Sequence, residues 1–322
     1  MVRHFTLIHT MRNYLFIGFI LFFFAGSHAQ AQGYVFKILA NKGENVMKSS
    51  DAGADWEPLR TGSSLNEGDI VKIVEGAYVG LIHSSGKTKE ITTPGSYNVT
   101  DLAAALSSGD GGVAAKYADF VLTKMTETDE DINANYGHYV NATGAVERDV
   151  NASKLKLMMN KSTKVYGNEV VVRWAEGDPS ETYMVTLLSI FDKTIKEMEV
   201  SESSLTLNFD DEMLQGQHFV KVTVQVMGND SIVSEPYGIE RLPPGRIQAI
   251  SDEWTALQGE ISEETPLNYL VKAGFFEEKG LLLDALTAYE HAIKLAPDVE
   301  SFREMYQDFL VRTKLAGTDE NN

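Results

Sequence analysis

The chain has 322 residues, no cysteine, and 46 acidic against 28 basic side chains. The lack of cysteine excludes disulfides, thiolate metal sites, a cysteine nucleophile and lipid attachment at a cysteine. The formal net charge of −18 argues against a nucleic-acid backbone or an anionic membrane surface as the main partner, because both repel an acidic protein.

The first 31 residues have the pattern of a secretory signal peptide. A basic region with Arg3 and Arg12 precedes an apolar run over 14–26, which is shorter than the roughly 20 residues of a membrane-spanning helix. Small residues then suit signal peptidase, so we predict cleavage after Ala31, with Ala29 as the alternative. This predicts a periplasmic protein, or alternatively a secreted or cell-surface one. The signal holds two basic residues and no acidic ones, so the mature chain carries a formal charge of −20.

Residues 33–100 are predicted to form a small β sandwich or barrel. Short runs of alternating apolar and polar residues recur between turns that contain glycine, which is typical of closely spaced strands. We expect Trp56 to belong to the core of this domain. The candidate strands cover 34–39, 69–74, 78–82 and 89–92.

Residues 101–153 are predicted to be a helix followed by an acidic polar linker. Over 113–126 the side chains of Tyr117, Phe120, Val121 and Met125 fall on one helical face. The acidic run that follows lacks the ligand spacing of a calcium-binding loop, so we interpret 126–153 as a solvated linker.

Residues 155–243 return to a β pattern, and the length and spacing of the strands favour an immunoglobulin-like β-sandwich. The Pro243-Pro244-Gly245 sequence is expected to end this domain, because proline cannot donate to a strand ladder. The candidate strands cover 170–174, 182–190, 204–209 and 218–227.

Residues 250–316 are predicted to be helical, and 317–322 to be a disordered tail. Thr265 is suited to cap a helix that begins at Pro266 and ends near Gly280. A second helix is expected from Leu282 to before Pro297, and a third over 299–315. Trp254 is expected to attach this helical part to the sandwich.

The first β domain resembles the FecR-type periplasmic domain. The resemblance rests on Trp56-Glu-Pro-Leu59, on the Gly68-Asp69 turn that opens a strand, on 78–82, and on Thr93-Pro94-Gly95. It implies an interaction module outside the cytoplasm. Some members of that family relay iron-uptake signals, but the cytoplasmic domain and internal membrane helix of those members have no counterpart in this pattern.

The middle domain resembles a fibronectin type III or immunoglobulin-like sandwich. Trp174 ends an apolar strand, Tyr183 opens the next long strand, and an aromatic residue enters the penultimate strand. That aromatic residue is Phe219, where a tyrosine is usual, so the hydroxyl hydrogen bond of a tyrosine corner is unavailable.

The C-terminal part resembles one tetratricopeptide-type helical hairpin. Small residues permit close approach of the two helices and aromatic residues fill the remaining space. A single repeat cannot bury its own faces, so we expect the third helix to cover it, and packing against the sandwich is an alternative. The residues of this pattern are Ala273, Phe276, Gly280, Ala285, Tyr289, Ala292 and Pro297.

Sequence motifs of catalysis are missing. His83, His138, His218 and His291 do not lie at metal-ligand spacing, and the chain has no nucleophile elbow or Walker loop. We therefore assign no catalytic, cofactor-binding or metal-binding residue. The sequence predicts an exported, non-catalytic binding or scaffolding protein of the bacterial envelope, whose partner is an envelope protein or a glycan. The alternatives are a cell-wall or glycan-binding module and, less favoured, a hydrolase with an unrecognised site.

Overall fold

The computed structural model describes residues 33–50, 54–106, 112–124, 154–175, 177–178 and 180–315. The predicted signal with Ala29 and Ala31, His138, the predicted linker and the predicted tail lie outside these residues. From Tyr34 onward the described residues belong to one compact unit, built from β-sheets and a C-terminal helical region. No helix in these ranges has the length and apolar character needed to cross a bilayer.

The first β module has two antiparallel four-stranded sheets, with strand orders β4-β1-β6-β7 and β3-β2-β5-β8. Alternate side chains from both sheets, including Phe36, Ile38, Val71 and Leu81, form its buried cluster. The predicted strands are confirmed, and four further strands, β2, β3, β4 and β8, add to them. The strands are Phe36–Lys42 (β1), Val46–Lys48 (β2), Glu57–Pro58 (β3), Ser64–Leu65 (β4), Ile70–Ile73 (β5), Tyr78–His83 (β6), Thr88–Ile91 (β7) and Gly95–Asn98 (β8).

The Gly68-Asp69 turn closes the connection between β4 and β5. Gly68 has a φ of +82°, a left-handed conformation that glycine adopts without steric cost. The buried carboxylate of Asp69 accepts hydrogen bonds from the backbone N–H groups of Asn66 at 2.7 Å and Ser50 at 3.0 Å. Asp69 therefore bonds the backbone, and its role in this turn is structural.

Two helices follow the first module. A short helix over Val99–Ala104 (α1) begins at Asn98, whose side chain accepts the N–H of Thr100 at 2.8 Å. A second helix covers 113–124 (α2), in agreement with the predicted helix, and its buried face carries Tyr117 and Val121.

The second β module combines a larger mixed sheet with the two-stranded sheet β11-β14. The main path of the larger sheet runs β10-β17-β15-β12-β13, where β10 pairs with β17 in parallel and β13 lies at the edge. The strands of the whole second module, in both sheets, are Lys154–Leu155 (β9), Ser162–Val165 (β10), Glu169–Arg173 (β11), Tyr183–Leu188 (β12), Thr194–Val200 (β13), Ser204–Asn208 (β14), Phe219–Val226 (β15), Val233–Ser234 (β16) and Tyr237–Arg241 (β17).

Two aromatic side chains, Trp174 and Phe219, make close contacts in the second module. Trp174 is fully buried, and its ring meets that of Tyr183 edge to face with centroids 5.3 Å apart. Phe219 lies across Gly238 of β17, where an added Cβ would stand 2.6 Å from its ring. The Phe219 ring therefore packs closely on the backbone of this glycine.

Four helices complete the chain: Pro244–Glu260 (α3), Pro266–Glu278 (α4), Leu282–Leu295 (α5) and Glu300–Arg312 (α6). The predicted break at Pro243-Pro244 is a helix start, because proline at the first helical position lacks only an N–H that would have no partner there. At the start of α4, the Thr265 hydroxyl accepts the N–H of Asn268 at 3.3 Å, which confirms the predicted cap.

The C-terminal helices share a hydrophobic core with both β modules. One continuous hydrophobic cluster joins Leu39 and Tyr78 of the first module, Val171 of the second module, and Phe275 and Phe302 of the helices. The third predicted helix, α6, covers the hairpin as expected. Packing against the sandwich, the alternative to that cover, also occurs, and the same cluster extends to the first module as well.

Candidate interaction surface

The tetratricopeptide-like residues are packing residues. Ala273, Ala285 and Ala292 are fully buried where α4 and α5 meet, and Phe276 and Tyr289 are buried beside them. Gly280 has a φ of +69° at the exit of α4, and Pro297 is exposed in the connection between α5 and α6. These positions explain the close approach of the two helices, and none of them presents a reactive group.

The helical hairpin offers little surface to a partner. No residue of α4 from Pro266 to Glu277 is exposed, and the exposed residues of α5 are Lys294 and Leu295 at its end. A helix that is covered on every side belongs to a core. The hairpin is therefore covered by the chain itself, and we look for a docking surface elsewhere.

The first β module holds the start of α4 with side chains of β7. The Glu90 carboxylate accepts the backbone N–H of Leu267 at 3.1 Å, and Thr88 donates its hydroxyl hydrogen to the buried Asn268 side chain at 2.7 Å. A carboxylate at a helix N-terminus satisfies a free donor and interacts favourably with the helix dipole. This contact fixes the helix relative to the first module.

The second β module is joined to α5 by a buried carboxylate. Asp284 accepts backbone N–H groups from Gly167 at 2.6 Å and Tyr166 at 3.1 Å, in the turn between β10 and β11. Burial raises the pKa of Asp284 to about 7, although the bonds from Gly167 and Tyr166 act in the opposite direction. Asp284 therefore positions α5 against the β10–β11 turn.

Two further contacts bind β11 to the helices. The Thr287 hydroxyl accepts the N–H of Val171 at 2.8 Å, so a helix side chain satisfies one edge of β11. Arg173 makes a two-pronged ion pair with Glu290, and Tyr306 of α6 donates its hydroxyl hydrogen to the same carboxylate at 3.0 Å.

A charged cluster joins α2, α3 and α4 around Glu253. Its carboxylate receives the Tyr117 hydroxyl and the Lys279 ammonium, the latter at 2.5 Å, and Lys116 lies 3.2 Å away. Burial alone would raise the pKa of Glu253, but the hydrogen bonds from Lys279, Tyr117 and Lys116 outweigh it and lower the pKa to about 2. Glu253 is thus an ionised bridge between the helices.

His83 and Ser85 form a Ser–His pair in the turn between β6 and β7. The Ser85 hydroxyl lies 2.7 Å from Nδ1 of His83, and the Ser85 backbone N–H donates to the same nitrogen at 3.1 Å. Burial and the nearby Lys87 lower the pKa of His83. Within the described ranges no carboxylate hydrogen-bonds to this ring, so the third member of a hydrolytic triad is not found there, and the pair caps the turn.

The other two histidines of the described residues also have ordinary surroundings. His218 is exposed, while His291 stacks on Tyr269 with ring centroids 4.9 Å apart and lies 3.5 Å from Glu169. Across the residues that the structure describes, no group of three histidine, aspartate or glutamate side chains is arranged to hold a metal ion.

Exposed apolar side chains mark the β modules instead. Trp56, which we expected in the first core, is 46% exposed beside β3, so that expectation is wrong: a two-residue edge strand has no second layer to cover it. In the second module the β12–β13 turn exposes 55% of Ile190 and 89% of Phe191. Single exposed apolar residues are common on protein surfaces, whereas adjacent ones such as Ile190 and Phe191 mark a candidate binding surface.

The β12–β13 turn is held by its own hydrogen bonds. Ser189 and Lys193 pair across it, since the Ser189 N–H donates to the Lys193 carbonyl at 2.8 Å and the Lys193 N–H donates to the Ser189 hydroxyl at 3.2 Å. Asp192 adopts a φ of +59°, as the last residue of a three-residue hairpin loop often does. Its carboxylate bonds Lys221 at 2.7 Å. Ile190 and Phe191 are therefore presented on a fixed backbone.

Met213 lies at the same end of the module. It belongs to the 3-10 turn Glu212–Leu214, which precedes β15 and contacts β13, and 40% of Met213 is exposed. We name Ile190, Phe191 and Met213 together the apolar tip. The sequence of a hairpin loop rarely indicates function. Here, two adjacent large apolar residues between Ser189 and Asp192 are the pattern from which this surface could be predicted.

Comparison with known proteins gives no family assignment for this chain. Neither a scan of protein-family models nor a search of curated proteins finds a match to this chain.

Proposed function

We propose that the chain is an exported, non-catalytic binding or scaffolding protein of the bacterial envelope, located in the periplasm. One observation carries this proposal: the C-terminal helices form a shared core with both β modules, which leaves the modules to present their outer surfaces in a fixed arrangement. The signal-like N-terminal sequence and the lack of a recognisable catalytic motif support the same function.

We also propose a family for each part. A FecR-type domain is supported in the first module by the Gly68-Asp69 turn, which closes onto its own backbone. A fibronectin III or immunoglobulin-like sandwich is supported in the second module by the parallel β10–β17 pair, by the β11–β14 sheet and by Trp174 at the end of β11. The buried alanines of α4 and α5 support a tetratricopeptide-like hairpin.

The apolar tip is the surface that best suits binding. It lies on the second module, at the end where β12 turns into β13, and its turn is ordered without a partner. The function is tested by placing a photoreactive residue at several exposed positions of the full chain in its native cells. Discrete protein adducts from at least one position are expected, whereas a complete lack of adducts would reject a binding or scaffolding role.

A glycan-binding role for the first module is the second candidate, and exposed Trp56 favours it because sugar rings stack on exposed indoles. Purified full-length protein would be incubated with insoluble peptidoglycan and sedimented. Binding that is lost in Trp56→Ala and retained in Trp56→Phe would support this role. Equal sedimentation of the wild type and Trp56→Ala would reject it.

A further inference from the structure

Folding does little to stabilise the apolar tip, because its side chains stay largely in contact with water. Apolar side chains stabilise a protein when they leave water, and Phe191 remains 89% exposed on the β12–β13 turn. Because hydrogen bonds already fix this turn, burying Phe191 against a partner would lose little backbone entropy. Ordered aromatic side chains of this kind contribute a large share of the affinity at protein interfaces.

Exposed acidic residues border the apolar tip on one side. Asp210, Asp211 and Glu212 precede Met213, all three are exposed, and they outnumber the one exposed lysine of the β12–β13 turn, Lys193. Asp192 is paired with Lys221 of the neighbouring strand β15, so its charge is compensated within the chain. The border and the net charge of the mature chain both favour a basic counterpart, because opposite potentials across an interface accelerate association and exclude unsuitable partners.

Two other occupants fit less well. Three side chains of this size bury roughly 400 Å² on each copy, so tip-to-tip pairing of two chains would fall below the about 1,200 Å² of a stable interface. An anionic membrane is disfavoured because the acidic border would approach negative headgroups.

We propose that the apolar tip inserts into an apolar pocket of another exported protein, and that lysine or arginine residues border this pocket. The proposal rests on the binding function proposed above and names the chemistry of its partner. Phe191 and Ile190 would fill the pocket, Met213 would cover its edge, and the acidic residues 210–212 would face the basic border.

The first test is photo-crosslinking in the cells that export the protein, with a photoreactive phenylalanine analogue at position 191, 227 or 56. We expect position 191 to yield one discrete protein adduct, whose crosslinked segment is apolar and flanked by lysine or arginine. Adducts from 56 or 227 but not from 191 would overturn the role of the tip and leave the general binding function standing. No adduct from any position would overturn both.

The identity of the adduct at position 191 separates the alternatives. An adduct with a second copy of this chain, or with lipid, would contradict the proposal. So would a protein adduct whose crosslinked segment lacks basic residues, since the acidic border would then have no counterpart.

The second test measures the affinity of the purified partner for matched variants. Phe191→Ala should weaken binding by about tenfold or more, the effect of removing a central anchor. Met213→Ala and Met227→Ala form a matched pair, because both methionines are 40% exposed and lie at opposite ends of the module. Met213→Ala should weaken binding about threefold, and Met227→Ala should change it less than twofold.

The charge requirement is tested with Asp211→Asn combined with Glu212→Gln. Wild-type affinity should fall as the salt concentration rises from 50 to 500 mM, and the double variant should show a shallower fall. A Phe191→Ala variant that binds as tightly as the wild type, or a salt dependence unchanged by the double variant, would overturn the proposal.

Discussion

At the scale of single residues, Asp284 has the most unusual surroundings in the described chain. It is almost fully buried in the first turn of α5, and its carboxylate faces the backbone of the β10–β11 turn. Burial raises its pKa from 3.8 to about 7, so the folded state holds this proton more tightly than the unfolded state. The stability that this preference contributes is therefore full below about pH 4 and is lost as the pH rises through about 7.

We predict that Asp284→Asn changes the pH dependence of stability. Asparagine keeps a carbonyl oxygen for the Gly167 N–H but carries no charge, so the free energy of unfolding of the wild type relative to the variant should fall by about 2–4 kcal/mol between pH 4 and pH 8. Urea unfolding of both proteins across this range measures the difference and cancels the other titrating groups. A difference that stays constant, or that rises with pH, would show that the N–H bonds dominate over burial.

Thr287 tests a single hydrogen bond between a helix and a strand. Its hydroxyl accepts the buried N–H of Val171 and donates to the Leu283 carbonyl. Thr287→Val keeps the shape and helix propensity but leaves that N–H unsatisfied, which should lower the free energy of unfolding by about 1–3 kcal/mol. Thr287→Ser keeps the hydroxyl and serves as the control. If Thr287→Val unfolds at the same urea concentration as the wild type, β11 does not depend on α5 for this bond.

At the scale of elements, the β6–β7 turn packs against α2 with no space to spare. Gly86 has a φ of +84°, and an added Cβ would stand 2.0 Å from the backbone nitrogen of Ala115. Gly62 has the same φ, but no atom lies within 4 Å of the Cβ position. The two glycines have the same left-handed backbone conformation, and only Gly86 packs against α2.

We therefore predict that Gly86→Ala destabilises the protein by about 2–3 kcal/mol more than Gly62→Ala, the usual cost of forcing atoms into a packed interface. Thermal or urea unfolding of the two variants measures the difference, and Gly62→Ala reports the strain of a left-handed alanine alone. Equal effects of the two substitutions would mean that the turn and α2 separate easily.

The sequence predicts those elements whose signals are local. The cap at Thr265 and Pro266, the Gly68-Asp69 turn and the alternating strands all reveal themselves within a few residues. By contrast, the sequence does not predict β13. Lys196, Glu197 and Glu199 make this edge strand too polar to be recognised by an apolar pattern. Trp56 was placed wrongly for a related reason, since composition does not show whether a second layer covers an edge.

The long-range arrangement could not be read from the sequence. The hairpin pattern predicts that α4 and α5 face each other, and it does not show that Gly80 of β6 approaches Leu267 so closely that an added Cβ would stand 2.8 Å from its side chain. The same applies to Glu260, which accepts the N–H groups of Val113 and Ala114 from more than 140 positions away. Such contacts depend on three-dimensional complementarity that no local pattern encodes.

At the scale of the whole molecule, the helices join parts that the sequence predicts to be separate domains. Three patterns that suggest separate domains share one hydrophobic cluster, and carboxylates at Glu90, Glu260 and Asp284 bond backbone N–H groups of another element across the boundaries. A scaffold with this construction presents the apolar tip and the first module at a fixed separation.

The most direct test is a pulsed electron-resonance distance measurement between the two β modules. The chain has no cysteine, so spin labels can be attached at Glu57→Cys in β3 and Lys196→Cys in β13, both exposed positions. Labels at Lys196→Cys and Ser231→Cys within the second module give the width that the labels alone produce. A single distance distribution between the modules as narrow as this reference is predicted, whereas a broad or multiple distribution would contradict a fixed arrangement.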